Sequence, residues 1–370
     1  MGLLKQPNFV EIEGHDITLA ASPEGTLVEL TPHFKNTLSV EINGLKTLIP
    51  SGARYMSLNS GTASAVSTLN ETPRTLDVRT RELLVESAPL TEQWCEQCTG
   101  KPKGGMEEWA KDNRRGNADD CAWYHGTWQY LRLLDMVAVP DWHREFYHKA
   151  LGKILRQKPN ANVLISACAD YGMLAMLHEA MGLTGATPRI VIYDICKTPL
   201  LSCQWYAKRH GISIETKVDN IITNPIPEAP FDLIVTDEFF TVLKAEYKPL
   251  ITNKWKQLLK PGGSAVTVAM LGSETTPELR RGYAERARQL LEASNGNFLS
   301  GQNEQQTEAI IDRFVTFAEI HTRHMVTSEN EVHSLLSGFD DVTVRRITTP
   351  GECVNPTDSF QIVATLAERK

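Results

Sequence analysis

The residues best placed for chemistry come at or just after the ends of short apolar runs in the second half of the chain. Asp194, Asp219 and Asp237 occupy such positions, with Asn220 and Glu238 as immediate neighbours. If these runs are parallel strands alternating with helices, their carboxyl ends meet at the edge of the sheet where ligands bind. There Asp194 can accept both hydroxyls of a ribose, and Asp219 with Asn220 can bind the edge of an adenine.

The loop after the first apolar run, SACADYG, is rich in small residues, which lets the backbone approach a ligand closely. No Gly-Lys-Ser/Thr phosphate loop follows it, so a nucleoside triphosphate is not the expected ligand. The predicted ligand-binding residues of this loop, and the one beside Asp194, are Ala167, Cys168, Ala169, Tyr171 and Ile195.

The elements that position these residues follow an alternating pattern. This pattern predicts an α/β fold with a doubly wound, mostly parallel sheet covered by helices on both faces. The strands are predicted at 163–166, 189–193, 212–217, 231–236, 264–270, 342–347 and 360–366, and the helices at 173–181, 200–210, 244–259 and 329–336.

The chain divides by composition into three regions. Residues 1–90 form a strand-rich accessory region, in which Asn43-Gly44 is a strong hairpin signal. Residues 91–160 form a Trp-rich helical lid or linker, with helices predicted at 121–139 and 141–157. The ligand-binding α/β domain covers residues 161–370 and contains a mostly helical insertion at about 272–330.

The order of motifs in this last region resembles the class I S-adenosylmethionine-dependent methyltransferases. The resemblance is carried, in order, by VLISACADYG, VIYDI, KVDN, FDLIVTDEFF, LLKPGG and HSLLSGFDDVTV. It implies a seven-stranded methyltransferase-type sheet that binds S-adenosylmethionine as a substrate. The strand-end residues would then be its cofactor-binding residues.

The first motif departs from the family pattern. The family usually has an acidic residue in the first strand and glycines in the loop, whereas this chain has Ile165 and Ser166, then Ala167 and Ala169. An alanine is tolerated in place of a glycine if its φ is negative. Tyr171, at the third glycine position, would place a large side chain near the amino-acid end of the ligand.

A run of aromatic residues precedes the predicted sheet, WYHGTWQYLR over residues 123–132. The ring faces of Tyr124 and Trp128 can attract a sulfonium by cation–π contact, and Arg132 can pair with the carboxylate of the methionyl group. The alternative is that these side chains simply pack a lid onto the core.

The predicted activity is transfer of a methyl group to a small-molecule acceptor. Such catalysis depends mostly on proximity, orientation and exclusion of water. A base is needed only if the acceptor loses a proton, and the candidates are Tyr124, His125 and Glu238. Two alternatives stay open: a synthase that cyclises the methionyl chain, as in azetidine-2-carboxylate formation, with release of methylthioadenosine, and a non-catalytic binding protein.

A zinc site is conceivable but not favoured by the sequence. Cys95-x-x-Cys98, Cys121 and His125 have spacings compatible with zinc ligands. However, Cys95 and Cys98 could equally be two small residues on a helix. The remaining thiols are scattered along the chain and are expected to be buried: Cys168, Cys196, Cys203 and Cys353.

Composition excludes several classes of protein. The 370 residues carry 38 Lys and Arg against 45 Asp and Glu, a net charge of -7, which argues against a nucleic-acid partner. No apolar stretch approaches a membrane span, and no signal peptide is visible. Seven cysteines are too few for a disulfide scaffold, so a cytoplasmic location is expected. A homodimer remains open.

Overall fold

The structure is a computed structural model, and it describes most of the second half of the chain and part of the first. The described residues are 9–12, 15–22, 25–30, 38–42, 45–49, 55–59, 62–66, 78–98, 121–134, 136–137, 139–273, 275–278, 280–282, 285, 304–348 and 358–368. They fall into two compact units, Met1–Val78 and Arg79–Lys370. The division at residue 78 lies inside the region of residues 1–90 that was set apart by composition.

The first unit consists of antiparallel strands, as predicted for the strand-rich region. Five of its strands form one sheet in the order β1-β2-β3-β6-β7, and β4 pairs with β5. Ile42 lies opposite Leu45, which is the register of a two-residue hairpin, although Asn43-Gly44 itself lies outside the described residues. The strands are β1 Phe9–Ile12, β2 His15–Ser22, β3 Gly25–Leu30, β4 Leu38–Ile42, β5 Leu45–Ile49, β6 Tyr55–Asn59 and β7 Thr62–Val66.

The second unit alternates helices and strands, as the hydrophobic pattern predicts. Its helices are α1 Val78–Glu96, α2 His125–Leu133, α3 Arg144–Gln157, α4 Gly172–Thr184, α5 Lys197–His210, α6 Lys248–Leu258, α7 Glu304–Ile320 and α8 Glu329–Leu335. Its strands are β8 Asn162–Ser166, β9 Arg189–Asp194, β10 Glu215–Val218, β11 Phe231–Val235, β12 Leu259–Leu271, β13 Asp341–Thr348 and β14 Asp358–Thr365.

The seven strands of the second unit form one sheet in the order β10-β9-β8-β11-β12-β14-β13. All neighbours are parallel except β14, which runs antiparallel to both β12 and β13. This order confirms the predicted doubly wound, mostly parallel sheet. The direction of winding changes between β8 and β11, and the carboxyl ends of β8, β9 and β11 meet at that switch point.

The core explains one departure of the first motif. Ser166, at the end of β8, is fully buried, and its Oγ accepts a hydrogen bond of 3.0 Å from Nε1 of Trp255 on α6. Trp255 is itself fully buried against the central strands. A buried polar atom needs such a partner, so a serine is satisfied here where an acidic residue is usual in the family.

Several element boundaries differ from the predicted ones. The helix predicted at 121–139 is confined to His125–Leu133, and Pro140 opens a separate 3-10 turn that leads directly into α3. The helix predicted from residue 244 begins at Lys248, with Pro249 in its first turn, where a missing N–H costs nothing. Within the described residues, no helix is both long and apolar enough to cross a membrane.

Candidate functional site

A pocket opens at the carboxyl ends of the parallel strands and is covered by α2 and by the described part of the insertion. All of the predicted site residues except Tyr171 and Arg132 line it. They are Tyr124, His125, Trp128, Ala167, Cys168, Ala169, Asp194, Ile195, Asp219, Asn220, Asp237 and Glu238.

Asp194 is the last residue of β9 and is held rigidly by two loops. Its Oδ2 accepts the N–H of Cys168 at 3.0 Å, and its Oδ1 accepts the N–H of Cys196 at 2.7 Å. The side chain borders the pocket and only 9% of the residue is exposed. These two backbone hydrogen bonds fix the orientation of the carboxylate, and an ionised carboxylate has about four acceptor sites in all.

Asp219 and Asn220 form the next part of the wall and also stabilise the turn after β10. Oδ1 of Asn220 accepts the N–H of Ile222 at 2.9 Å, and Oδ1 of Asp219 accepts the N–H of Asn220 at 2.9 Å. The amide of Asn224 donates a further hydrogen bond to Asp219. Turn stabilisation, the alternative to ligand binding at this position, is therefore present in the same residues.

Two residues at strand ends have a backbone conformation that L-residues rarely adopt. Ala167 has φ +68°, so the negative φ that an alanine prefers at this glycine position is not found. Its N–H donates to the carbonyl of Tyr193 at 2.9 Å. Glu238 has φ +51°, and its Oε2 accepts the N–H of Met270 at 2.7 Å. Such strain persists where the surroundings fix it, typically at ligand-binding sites.

Tyr171 and Arg132 do not line the pocket, contrary to the prediction from the sequence. Tyr171 is 1% exposed, and its ring stacks on that of Tyr206 with centroids 5.1 Å apart. Arg132 lies over the Tyr171 ring and pairs with two carboxylates, Oδ2 of Asp170 at 2.5 Å and Oδ2 of Asp141 at 2.7 Å. These two ion pairs hold the buried guanidinium in the core.

The fold raises the pKa of the Asp237 carboxyl group. Its Oδ1 accepts a hydrogen bond of 2.5 Å from the hydroxyl of Tyr147 on α3. Burial raises the pKa of Asp237 to about 7, with repulsion from Asp141 and Asp170 adding to it, against the Tyr147 hydrogen bond and Arg132. A carboxyl group with this pKa exchanges a proton near neutral pH, as a general base does.

The helical wall of the pocket is aromatic. The ring of Tyr124 stacks on Trp128 at 5.1 Å between centroids, and it also contacts Phe317 at 5.7 Å and His321 at 5.6 Å. Phe317 and His321 stack on one another at 4.7 Å. Neither Phe317 nor His321 is among the site residues predicted from the sequence. The four-residue spacing of the two was the available signal, since it places them on one helix face.

The insertion also brings cations to the pocket, which the sequence did not reveal. Arg280 donates from Nη2 to Oγ1 of Thr322 at 2.7 Å, and the backbone N–H of Arg323 donates to Oγ1 of Thr275 at 3.0 Å. Both arginines line the pocket, as does Asp170 of the β8 loop. The ends of the strands thus contribute carboxylates, and the insertion contributes positively charged guanidinium groups.

The cysteines converge in a way that the sequence predicted only in part. The Sγ atoms of Cys98, Cys121 and Cys196 all lie within 4.8 Å of one another, and Cys95 packs in the same cluster. His125 is not a member of this group, and its Nδ1 lies 3.1 Å from a backbone carbonyl oxygen. The set considered from the sequence, Cys95, Cys98, Cys121 and His125, shares Cys98 and Cys121 with this group, and Cys196 is not an isolated thiol.

The strand order and the position of the pocket agree with what the motif resemblance implied. The sheet is parallel except for β14, which lies between β12 and β13. Its pocket lies at the carboxyl ends of β8, β9 and β11. The chain has the class I methyltransferase fold.

Comparisons with known proteins give distant structural likenesses alone. No family model and no curated protein matches the chain. An S-adenosylmethionine-dependent methyltransferase from Methanosarcina mazei is similar at 18% identity, with 57% of this chain and 95% of that one covered and a TM-score of 0.38. The N-methyltransferase NodS from Bradyrhizobium japonicum, solved with S-adenosylhomocysteine, gives 15% identity, 65% and 98% coverage and a TM-score of 0.38. Magnesium protoporphyrin IX methyltransferase from Synechocystis is similar at 9% identity, with 62% of this chain and 85% of that one covered and a TM-score of 0.38.

Proposed function

We propose that this protein binds S-adenosylmethionine at the ends of β8, β9 and β11 and transfers its methyl group to a small-molecule acceptor. The observation that carries the proposal is the Asp194 carboxylate, fixed by the N–H groups of Cys168 and Cys196 at the pocket wall. A carboxylate held in this way at the second strand can accept two ribose hydroxyls without reorganising.

The charge of the pocket fits a cationic cofactor. Its wall contains five carboxylate side chains, from Asp170, Asp194, Asp219, Asp237 and Glu238, against two arginines, Arg280 and Arg323. At neutral pH the cofactor carries a sulfonium, an ammonium and one carboxylate, so it is positive overall. The stacked rings of Tyr124 and Trp128 add a face that attracts a cation and excludes water.

The chain contributes to the reaction mainly by orientation and by exclusion of water. Where the acceptor must lose a proton, Asp237 is the best-suited base, because its pKa lies near neutral pH. Of the bases proposed from the sequence, Glu238 has one oxygen committed to the N–H of Met270. His125 has Nδ1 close to the Ala169 carbonyl. Tyr124 is engaged in ring stacking with Trp128.

The proposal is tested by calorimetry of the purified full-length protein with S-adenosylmethionine, followed by product analysis. We expect binding, and formation of S-adenosylhomocysteine only when an acceptor is supplied from a panel of small amines, phenols and carboxylic acids. Release of methylthioadenosine from S-adenosylmethionine alone would instead establish the cyclising synthase. Absence of binding would leave a methyltransferase fold without its cofactor and refute the proposal.

A further inference from the structure

Four cysteine side chains from three separate segments meet beside the ligand pocket. Cys95 and Cys98 lie at the end of α1 and just beyond it, Cys121 precedes α2, and Cys196 lies between β9 and α5. Cys95, Cys121 and Cys196 are buried and Cys98 is half-buried. All four are free thiols. Three segments that are far apart in the chain thus contribute thiols to one cluster.

The sulfur atoms have the spacing of ligands around a single small ion. Sγ atoms of Cys98, Cys121 and Cys196 lie within 4.8 Å of one another. In a tetrahedral zinc site with Zn–S bonds of about 2.3 Å, neighbouring sulfurs are about 3.8 Å apart. Cys95 lies outside this group of three, but it packs in the same cluster and its thiol interacts with that of Cys121, which makes it the candidate for the fourth ligand.

The spacing along the chain supports the same interpretation. Cys95 and Cys98 form a Cys-x-x-Cys pair, and the N–H of Cys98 donates to the carbonyl of Cys95 at 2.9 Å. This tight turn at a helix end brings two thiols to one side, as in many structural zinc sites.

The surroundings stabilise negative charge on sulfur. The hydroxyl of Thr198, fully buried, lies 3.0 Å from Sγ of Cys98 and 3.1 Å from Sγ of Cys121. Cys196 is the N-cap of α5, so the positive end of that 14-residue helix adjoins the cluster. Hydrogen bonds to metal-bound thiolates orient the ligands and balance their charge.

We propose that Cys95, Cys98, Cys121 and Cys196 bind one structural zinc ion through four thiolates. Soft thiolate ligands in a tetrahedral set select zinc among the common divalent ions. Four protein ligands leave no open position, so the ion holds the fold together and takes no part in the reaction. Binding requires that each thiol lose its proton, so it releases protons to solvent.

The proposed ion connects the pocket to elements far away in the chain. It joins the end of α1 and the segment before α2 to the connection that follows β9. The N–H of Cys196 donates to Asp194, so the same ion fixes one of the two loops that hold this carboxylate. The site does not depend on the proposed methyl transfer, because a metal content is measured without any substrate.

The test is the metal content of the full-length protein, purified without chelators. Elemental analysis should find about one zinc ion per chain, and replacement of zinc by Co²⁺ should give the intense absorption of thiolate-to-cobalt charge transfer. Cys98→Ser, Cys121→Ser and Cys196→Ser should each lose most of the metal. Cys203→Ser is the matched control: Cys203 is a buried thiol outside the cluster, and its variant should keep the ion.

A second measurement applies to the wild-type protein if the variants fail to fold. Native protein is titrated with an organomercurial in the presence of a zinc indicator, and zinc should be released as about four thiols react. Two results would overturn the proposal. One is wild-type protein that contains no zinc and takes up neither Zn²⁺ nor Co²⁺. The other is a disulfide within the cluster, seen by mass spectrometry of protein purified under reducing conditions.

Discussion

The two walls of the pocket are built differently and carry different chemistry. The sheet wall presents carboxylates at strand ends, such as Asp194 and Asp237, whereas the helical wall presents the stacked rings of Tyr124, Trp128 and Phe317. Positions on the sheet wall follow directly from where each strand ends. Positions on the helical wall depend on how α2 packs against α7, far away in the chain. The sequence therefore predicted the carboxylates of the first wall, and of the second wall it predicted Tyr124 and Trp128 but not Phe317.

The largest effect should come from Arg132, which joins the two walls. It lies on α2, on the helical side, and its partner Asp170 belongs to the β8 loop. Arg132→Met leaves the buried carboxylate of Asp170 without its ion pair, while Asp141 keeps its pair with Arg144. The loss should cost about 3–5 kcal/mol of stability in urea unfolding. The control is Arg144→Met, whose half-exposed ion pairs should be worth about 1 kcal/mol or less. Equal losses would show that Arg132 does not bridge the walls.

The second-largest effect concerns Asp237 on the sheet wall, whose contribution to the free energy of unfolding depends on pH. The pKa of Asp237 is raised from 3.8 to about 7, so ionising this group costs stability in the folded protein. Wild-type stability should therefore fall as pH rises from about 4 to about 7. Asp237→Asn should remove this dependence and gain up to about 3–4 kcal/mol above pH 7. Chemical unfolding at a series of pH values measures it.

The control for this experiment is Asp232, whose pKa is shifted in the opposite direction to that of Asp237. Although burial opposes it, the ion pair with Lys260 lowers the pKa of Asp232, and the two groups are 2.7 Å apart. Asp232→Asn should therefore destabilise the protein at neutral pH, with the difference lost on acidification. If both variants respond alike to pH, Asp237 is not the perturbed group.

The two walls also differ in how much of each can be predicted from the sequence. Alternating apolar runs predict the strands, and a carboxylate after a strand predicts a side chain at the ligand edge, as Asp194 shows. Arg132 and Tyr171 are predicted to bind the cofactor but do not line the pocket. Each is next to the site in sequence, yet its side chain packs in the core, where Arg132 pairs with Asp141 and Tyr171 stacks on Tyr206. Cys196 was missed as a member of the thiol cluster, because its partners lie in other segments.

Substitutions of the aromatic residues on the helical wall should show whether these rings attract the positive charge of the cofactor or only pack in the core. If the rings of Tyr124 and Trp128 attract the sulfonium, Tyr124→Ala or Trp128→Ala should weaken S-adenosylmethionine more than S-adenosylhomocysteine, by about 0.5–2 kcal/mol. Calorimetry with both ligands gives the difference. Trp205→Ala, an aromatic residue packed against Tyr171, should change neither affinity selectively. Equal losses for the two ligands, with a lower melting temperature, would mean that the cluster is only core.

The smallest effect is expected on the strained turn of the sheet wall. Ala167 has φ +68°, where a glycine is relaxed, so Ala167→Gly should raise stability by about 1 kcal/mol. Ala169→Gly, two residues later, is the control, since the described positive-φ residues do not include Ala169. There a glycine only increases the entropy of the unfolded chain and should lower stability by about 0.4–1 kcal/mol. A loss at both positions in thermal unfolding would contradict the strain at Ala167.

The central claim is that the sheet wall binds the cofactor through Asp194, and the affinity of S-adenosylmethionine for Asp194→Ala tests it most directly. Loss of charged hydrogen bonds to the ribose should weaken binding by about 1.5–3 kcal/mol. Asp341→Ala, which removes the same charge from an exposed position on β13, should leave the dissociation constant unchanged. An unchanged dissociation constant for Asp194→Ala, in protein that keeps its fold by circular dichroism, would contradict the account.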